Sequence, residues 1–246
     1  MPSLNHRLFY RLVRIFHFRW LFLLCRRYLY DYVTIEVIKD WGKPQKPFFF
    51  KKEADLYSWY YRSAEKGVEW LEQGVYARQV MTKDCKVLDL CTGDGFFPYM
   101  FYADFAARID AVDFDESAIT HAKANYSAAN INHVQMDILK GSFPLKDYDV
   151  VIWNTALDYF SREQQLLVLD KIIDSSKPEF VFVGAVPKVG EHEKKHSDNH
   201  VKHFANTGDL RDLFSLRFEQ IEIFHTDYKH RSTFYFKCKG PKSQNL

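Results

Sequence analysis

The chain has 246 residues, 47% hydrophobic and 17% aromatic, which is apolar surface enough for a packed α/β domain with an appendage and excludes disorder along most of its length. Its net charge of +2 is unevenly placed: Arg7, Arg11, Arg14, Arg19, Arg26 and Arg27 all precede the first acid, Asp31, so the remainder is net acidic. Cys25, Cys85, Cys91 and Cys238 show no C-x-x-C pairing, which argues against a disulfide scaffold or a cysteine zinc site and suits free, buried thiols in a reducing, cytoplasmic setting.

Residues 1–45 read as a basic, aromatic helical extension. Its longest uncharged run, WLFLLC (20–25), is too short to span a bilayer, and Arg interrupts the apolar stretch too often for a signal peptide. Arg7, Arg11 and Arg14 fall on one helical face. Three readings stay open: peripheral contact with an anionic membrane surface through residues 5–30, packing on the domain or a second subunit, and a targeting segment. The Pro- and Gly-bearing WGKPQKPFFF (41–50) marks a linker. Residues 46–84 then form a helical lead-in, whose Trp59, Tyr60 and Tyr61 serve core packing or close over a ligand.

The core spans 85–240, followed by a short tail at 241–246. KVLDL (86–90), RIDAVDF (108–114), HVQMDI (133–138), DYDVVIWN (147–154) and KPEFVFVGAV (177–186) read as strands. The intervening FFPYMFYADFAA, SAITHAKANYSAA and SREQQLLVLDKIIDSS read as helices. Such alternation predicts a doubly wound, mostly parallel sheet. FEQIEIFH (218–225) and STFYFKCKG (232–240) have no helix between them, so they form an antiparallel hairpin at one edge.

In VLDLCTGDGFF (87–97) a buried strand runs through a Gly-containing turn into a helix. The free N–H groups of such a helix start, with Gly93 and Gly95 letting the backbone approach closely, form a ligand site at the carboxyl end of the strand. Asp113 ends the next strand, where a carboxylate accepts from ribose hydroxyls, and Asp137 ends the third, placed to meet an adenine amino group. Together these narrow the ligand to an adenosine type. A dinucleotide fingerprint fails, because GDGFFP from Gly93 lacks the third glycine.

DLCTGDG, AVDFDESAI, VQMDI and YDVVIWNTALDYF, in that order, resemble the successive motifs of class I S-adenosylmethionine-dependent methyltransferases over roughly residues 53–240. The resemblance implies a Rossmann-like seven-stranded sheet with an antiparallel last strand. It implies S-adenosylmethionine as cofactor, with Asp89, Thr92, Gly93 and Gly95 lining the methionine end and Asp113 holding the ribose. It further implies Asp137 and Ile138 at the adenine edge and Asn154 with Thr155 beside the methyl, and Cys91 and Phe114 join the same cofactor-binding set. Cys91 stands where the family usually has the first glycine, so its backbone must keep φ below zero or accept strain. NTAL (154–157) replaces the N-P-P-Y type of tetrapeptide found in many amino-group methylating members.

HEKKH (192–196) matches the H-E-x-x-H zinc signature, but both inner positions are Lys and turn formers flank it, so a zinc hydrolase is rejected and no metal is expected. His192, His196, His200 and His203 would share one side of a helix, where a metal site is conceivable, the plainer reading being one His at the active site and the others solvated. NHVKHFANTGDLRDLF (199–214) resembles a segment bordering the substrate in methyltransferases of sugars, lipids and other small molecules, which makes His200 the catalytic base candidate. Asp158 and Tyr159 are the next candidates for touching the acceptor. The expected reaction is methyl transfer to a small-molecule, lipid or sugar (glycan) hydroxyl. The acidic body argues against a nucleic-acid partner, a protein substrate or a non-catalytic adaptor being the alternatives beside it.

Overall fold

The computed structural model describes residues 67–188, 204–228 and 231–242. The extension, most of the lead-in with Trp59, Tyr60 and Tyr61, Cys25, and the loop bearing HEKKH and His200 lie outside them. Helix α1 (Gly67–Arg78) leads into β1 (Cys85–Leu90), a π-helical turn (Pro98–Tyr102), β2 (Ala106–Asp113), α2 (Glu116–Asn125), β3 (Ile131–Gln135) and β4 (Tyr148–Asn154). A 3₁₀ turn (Leu157–Tyr159), α3 (Arg162–Asp174), β5 (Ser176–Pro187), α4 (Thr207–Phe214), β6 (Phe218–Tyr228) and β7 (Arg231–Pro241) complete the order.

The strands form one seven-stranded sheet in the order β3-β2-β1-β4-β5-β7-β6. All pairings from β3 through β5 are parallel, whereas β7 is antiparallel to both β5 and β6. The expected edge hairpin is therefore present, with the last strand inserted between β5 and β6. Each strand alternates its side chains between two packed faces. Leu88, Val151, Trp153, Phe182 and Phe236 pack against Val168, Leu169 and Ile172 of α3 and Leu210 and Phe214 of α4. Val87, Ile109, Ile152 and Val183 face the other way, against Ala77 of α1 and Phe97 and Tyr102 of the π-turn.

Local signals explain the helix starts. Ser161 and Gln164 form a reciprocal capping box at α3, and Asn206 and Asp209 do the same at α4. Asp115 caps α2 by accepting from the backbone N–H of Ser117 and Ala118. One predicted helix shrinks: FFPYMFYADFAA yields only the π-turn, closed by the Ala103 N–H to the Pro98 carbonyl at 2.9 Å, and its last residues enter β2. β3 stops at Gln135, so Asp137 and Ile138 lie in the turn beyond the strand rather than at its end.

Candidate functional site

Chain connections run outward in opposite directions from β1 and β4, which are neighbours in the sheet. This is the switch point of an open α/β sheet, where the loops at the carboxyl ends part and leave a crevice. The backbone is strained on both sides of it. Cys91, the first residue after β1, has φ 55°, and Thr155, the first after β4, has φ 52°. Neither is glycine, and such left-handed residues persist where the surroundings over-determine them. Thr155 is held by its N–H to the Ala185 carbonyl at 2.7 Å, and the next residue after Cys91, Thr92, by its N–H to the Val112 carbonyl at 3.0 Å. Cys91 thus accepts the strain that the sequence left as one of two options. Replacing it by glycine should shift stability by less than about 1 kcal/mol, relief of strain offsetting the entropy of a freer unfolded chain. Cys91→Val should lose about 2 kcal/mol or more, because a branched side chain tolerates this φ worst. Urea denaturation of both variants checks the contrast.

The glycine turn is tied to the second strand. Asp113, buried at the end of β2, accepts the Gly93 N–H at 2.9 Å through Oδ2 and the Asp115 N–H at 3.0 Å through Oδ1. An ionised carboxylate has about four acceptor positions, so two remain for hydroxyl donors. Gly93 has φ 62°, and a Cβ there would meet nothing within 4 Å, so the space over the turn is open. Gly95 is the opposite case: at φ 79°, its Cβ would lie 2.7 Å from that of Ala122 in α2 and 3.0 Å from His133 Cε1 in β3. Gly95 permits a close approach of turn to helix.

Below the turn sits a buried polar group. Asp89 of β1, Thr92, Tyr102 and Asn154 are all buried, and Asn154 Nδ2 donates to the Tyr102 hydroxyl at 3.4 Å. Asn154 Oδ1 has no hydrogen-bond partner among the described residues. Tyr102 is absent from the sequence-based candidates, since a tyrosine inside an aromatic run reads as core. Burial pushes the Asp89 carboxyl up to about 7, with the Thr92 hydroxyl opposing and the charge of Asp113 adding. The Asp113 carboxyl is also raised by burial, against the lowering effect of the Asp115, Gly93 and Phe114 backbone N–H groups.

A carboxyl raised in the folded state, against about 4 when unfolded, binds its proton more tightly when folded. Its contribution is therefore fully present below about pH 4 and is lost as pH rises through about 7. Asp89→Asn should flatten that fall and stabilise the domain at pH 8, as compared by urea midpoints at about pH 5 and pH 8. A variant less stable than wild type at pH 8 would contradict the assignment.

The remaining candidates spread along the rim. Phe114, next to Asp113, is 73% exposed. Ile138 is buried in the core, whereas Asp137 is partly exposed and already engaged, accepting the Leu139 N–H at 3.0 Å and pairing with Lys140 at 2.9 Å. That Lys140 partner holds its carboxyl below the usual range. Asp158 is wholly buried in the 3₁₀ turn after β4, which Gln165 of α3 anchors by donating to the Leu157 and Phe160 carbonyls at 2.8 and 3.1 Å. Tyr159 beside it is exposed, its phenol raised by desolvation and by Asp158. No cluster of metal-ligating side chains occurs among the described residues. Cys85, Cys91 and Cys238 are free thiols, and Cys91 is only half-buried.

Residues 87–179, from β1 into β5, match the family model of a methyltransferase domain. Over this stretch the chain matches a methyltransferase domain, and the sheet around it has the class I methyltransferase fold. No curated protein matches the chain. Among solved structures, this methyltransferase domain resembles a chain of the complex between the Haloferax volcanii Trm112 methyltransferase activator and a methyltransferase. They share 17% identity over 76% of this chain and 97% of that one, at a TM-score of 0.60. An S-adenosylmethionine-dependent methyltransferase of Listeria monocytogenes shares 16% identity over 73% of this chain and 100% of its own, at 0.56. The N-methyltransferase NodS of Bradyrhizobium japonicum, solved with S-adenosylhomocysteine, shares 11% over 84% and 97%, also at 0.56. At these identities the likeness speaks for the fold alone.

The methyltransferase domain's own residues fit S-adenosylmethionine. The crevice offers open space over Gly93, spare acceptor positions on Asp113 and an unpartnered buried oxygen on Asn154. Among the described residues, no helix is long and apolar enough to cross a membrane.

Proposed function

We propose that the domain transfers a methyl group from S-adenosylmethionine to a hydroxyl of a small-molecule, lipid or sugar acceptor. The observation that carries the reading is the chemistry of the rim. The loops after β1, β2 and β4 (residues 91–97, 114–115 and 155–161) contain neither Lys nor Arg, and the acids Asp89, Asp113 and Asp158 are buried at or below them. Those three loops have nothing to neutralise a row of phosphates, which supports a compact, uncharged acceptor over a nucleic acid. NTAL after β4 likewise lacks the paired prolines suited to an amino-group acceptor.

In this reading Asp89, Cys91, Thr92, Gly93 and Gly95 line the methionine end of the cofactor and Asp113 accepts from the ribose hydroxyls. Phe114 covers the adenine, whose edge meets Asp137 and Ile138, and Asn154 lies beside the methyl. When bound, the cofactor supplies an electrophilic sulfonium methyl for in-line displacement. The protein aligns the acceptor with it and excludes water. His200 takes the acceptor's hydroxyl proton, for which an imidazole has a suitable ordinary pKa. Asp158 is too deeply buried to exchange protons with solvent and fits a positioning part on the acceptor side.

Incubation with methyl-labelled S-adenosylmethionine and three acceptor sets (sugars, lipid vesicles and phenolic small molecules) tests this. Label should pass to a hydroxyl in at least one set, and His200→Ala should suppress the transfer. Label appearing instead on RNA or protein would overturn the acceptor class.

A further inference from the structure

β6 (Phe218–Tyr228) is the last strand of the sheet, and one side of it has no neighbouring strand among the described residues. Its pairing with β7 keeps an unbroken register from Gln220 to Tyr228. The outer side of that stretch therefore presents a regular row of backbone donors and acceptors about 30 Å long. Such an edge is a template for another strand, and sheets blunt it with proline, lysine, a bulge or brevity. FEQIEIFHTDY contains neither Pro nor Lys, and the paired stretch has no bulge. The opposite edge, β3, is short by comparison, at Ile131–Gln135.

The side chains along this edge are apolar on both faces of the sheet. Phe224 stays 43% exposed, although Tyr76 of α1 meets its ring edge-on at 5.1 Å and Tyr235 of β7 stacks on it at 4.9 Å. Ile221 and Ile223, on the other face, are only partly buried.

Side-chain chemistry selects both the occupant and the register. A two-fold contact requires only that a strand complement itself. β6 carries Glu219, Glu222 and Asp227 and no Lys or Arg, so a register that opposes acids is unfavourable. In an antiparallel pair of two copies, a dyad at Ile223 sets Glu219 against Asp227, and one at Glu222 sets that acid against itself. A dyad at Phe224 sets Glu222 against Thr226, Ile221 against Asp227, Ile223 against His225 and Gln220 against Tyr228. No two acids meet, the two exposed rings come together, and the whole stretch from Gln220 to Tyr228 is used. A dyad at His225 opposes two imidazoles and shortens the ladder. We propose that β6 is a dimer interface, pairing antiparallel with β6 of a second copy about a two-fold axis at Phe224 to make one continuous sheet. Strands of the two copies then run in opposite directions, so their crevices open at opposite ends of the joined sheet.

Sedimentation velocity of the full chain over about 1–100 μM should show a concentration-dependent dimer. Phe224→Lys, which brings two cations together at the dyad, should raise the dissociation constant about tenfold or more. Because Phe224 also packs on Tyr76 and Tyr235, a second variant leaves it in place. Glu222→Cys combined with Thr226→Cys should form a disulfide-linked dimer on oxidation. Residues opposed across an antiparallel pair have Cα atoms about 4.5–5.5 Å apart, within disulfide reach. Within one strand the same two positions stand about 13 Å apart and cannot be bridged. Gln220→Cys alone is the control: its two copies would lie about 27 Å apart and should not cross-link. A protein monomeric at every concentration would overturn the proposal. So would a failure of the Glu222→Cys, Thr226→Cys protein to cross-link, or a dimer that a folded Phe224→Lys leaves unchanged, since either result places the contact on another surface.

Discussion

Asp113→Ala is expected to lower affinity for S-adenosylmethionine and S-adenosylhomocysteine by about a hundredfold or more. The carboxylate has two tasks in the proposed site. It accepts backbone N–H groups from Gly93 and Asp115, which fixes the glycine turn over the end of β2. Its remaining acceptor positions meet the ribose hydroxyls. Each hydrogen bond to a charged group contributes about 1.5–3 kcal/mol, and each 1.4 kcal/mol is a factor of ten, so losing two such bonds amounts to two orders of magnitude or more. Asp113→Asn retains the shape and one acceptor oxygen and should fall between the two. Calorimetric titration with both ligands measures this, with thermal denaturation alongside to establish that each variant is folded. Unchanged affinity in a folded Asp113→Ala protein would remove Asp113 from the site.

The largest expected effect on stability is at Gly184. It lies in β5 between β4 and β7, in register with Trp153 on one side and Phe236 on the other. A Cβ there would stand 2.2 Å from the Trp153 carbonyl oxygen and 2.6 Å from Phe236 Cζ. The first contact is with backbone bonded into the sheet, which cannot swing aside as a flexible side chain could. Gly184→Ala should therefore destabilise the domain by about 4 kcal/mol, at the upper end for a single substitution. For a domain of this size that is a fall of about 8–16 °C in Tm. Gly184→Val should leave no cooperative thermal transition. Gly93→Ala provides the contrast: it has open space, so only its positive φ opposes the change, at about 1 kcal/mol. Melting temperatures for the two alanine variants that coincide would contradict this account.

Much of the fold could be read from the chain because its signals are local and periodic. Short β-rich runs separated by helical spacing yield a parallel sheet whatever the details, and the two late strands with no helix between them can pair only as a hairpin. FFPYMFYADFAA misled because composition does not report where a helix must stop: Pro98 begins a single π-turn, and Ala106 is needed as the first residue of β2. Asp137 slipped past the strand end for a related reason, since the turn that closes β3 uses its carboxylate to hold the Leu139 N–H.

The candidate site divides in the same way. Asp89, Gly93, Gly95 and Asp113 stand out in the sequence because glycines and acids at strand ends follow from the chemistry of close approach and hydroxyl recognition, whereas Asn154 entered only through the family resemblance. Tyr102 does not stand out, because it lies on a helical segment whose pattern reads as packing. The sequence by itself determined the strand and helix order, the glycine turn, the strand-end acids and the loss of a glycine at Cys91. Only the tertiary structure decided that Cys91 takes up left-handed strain, that Asp113 ties the turn to β2, and that Tyr102 meets Asn154. Those are contacts between residues tens of positions apart, and their geometry is set by the register of the sheet and the packing of α1 on it, which local pattern does not encode.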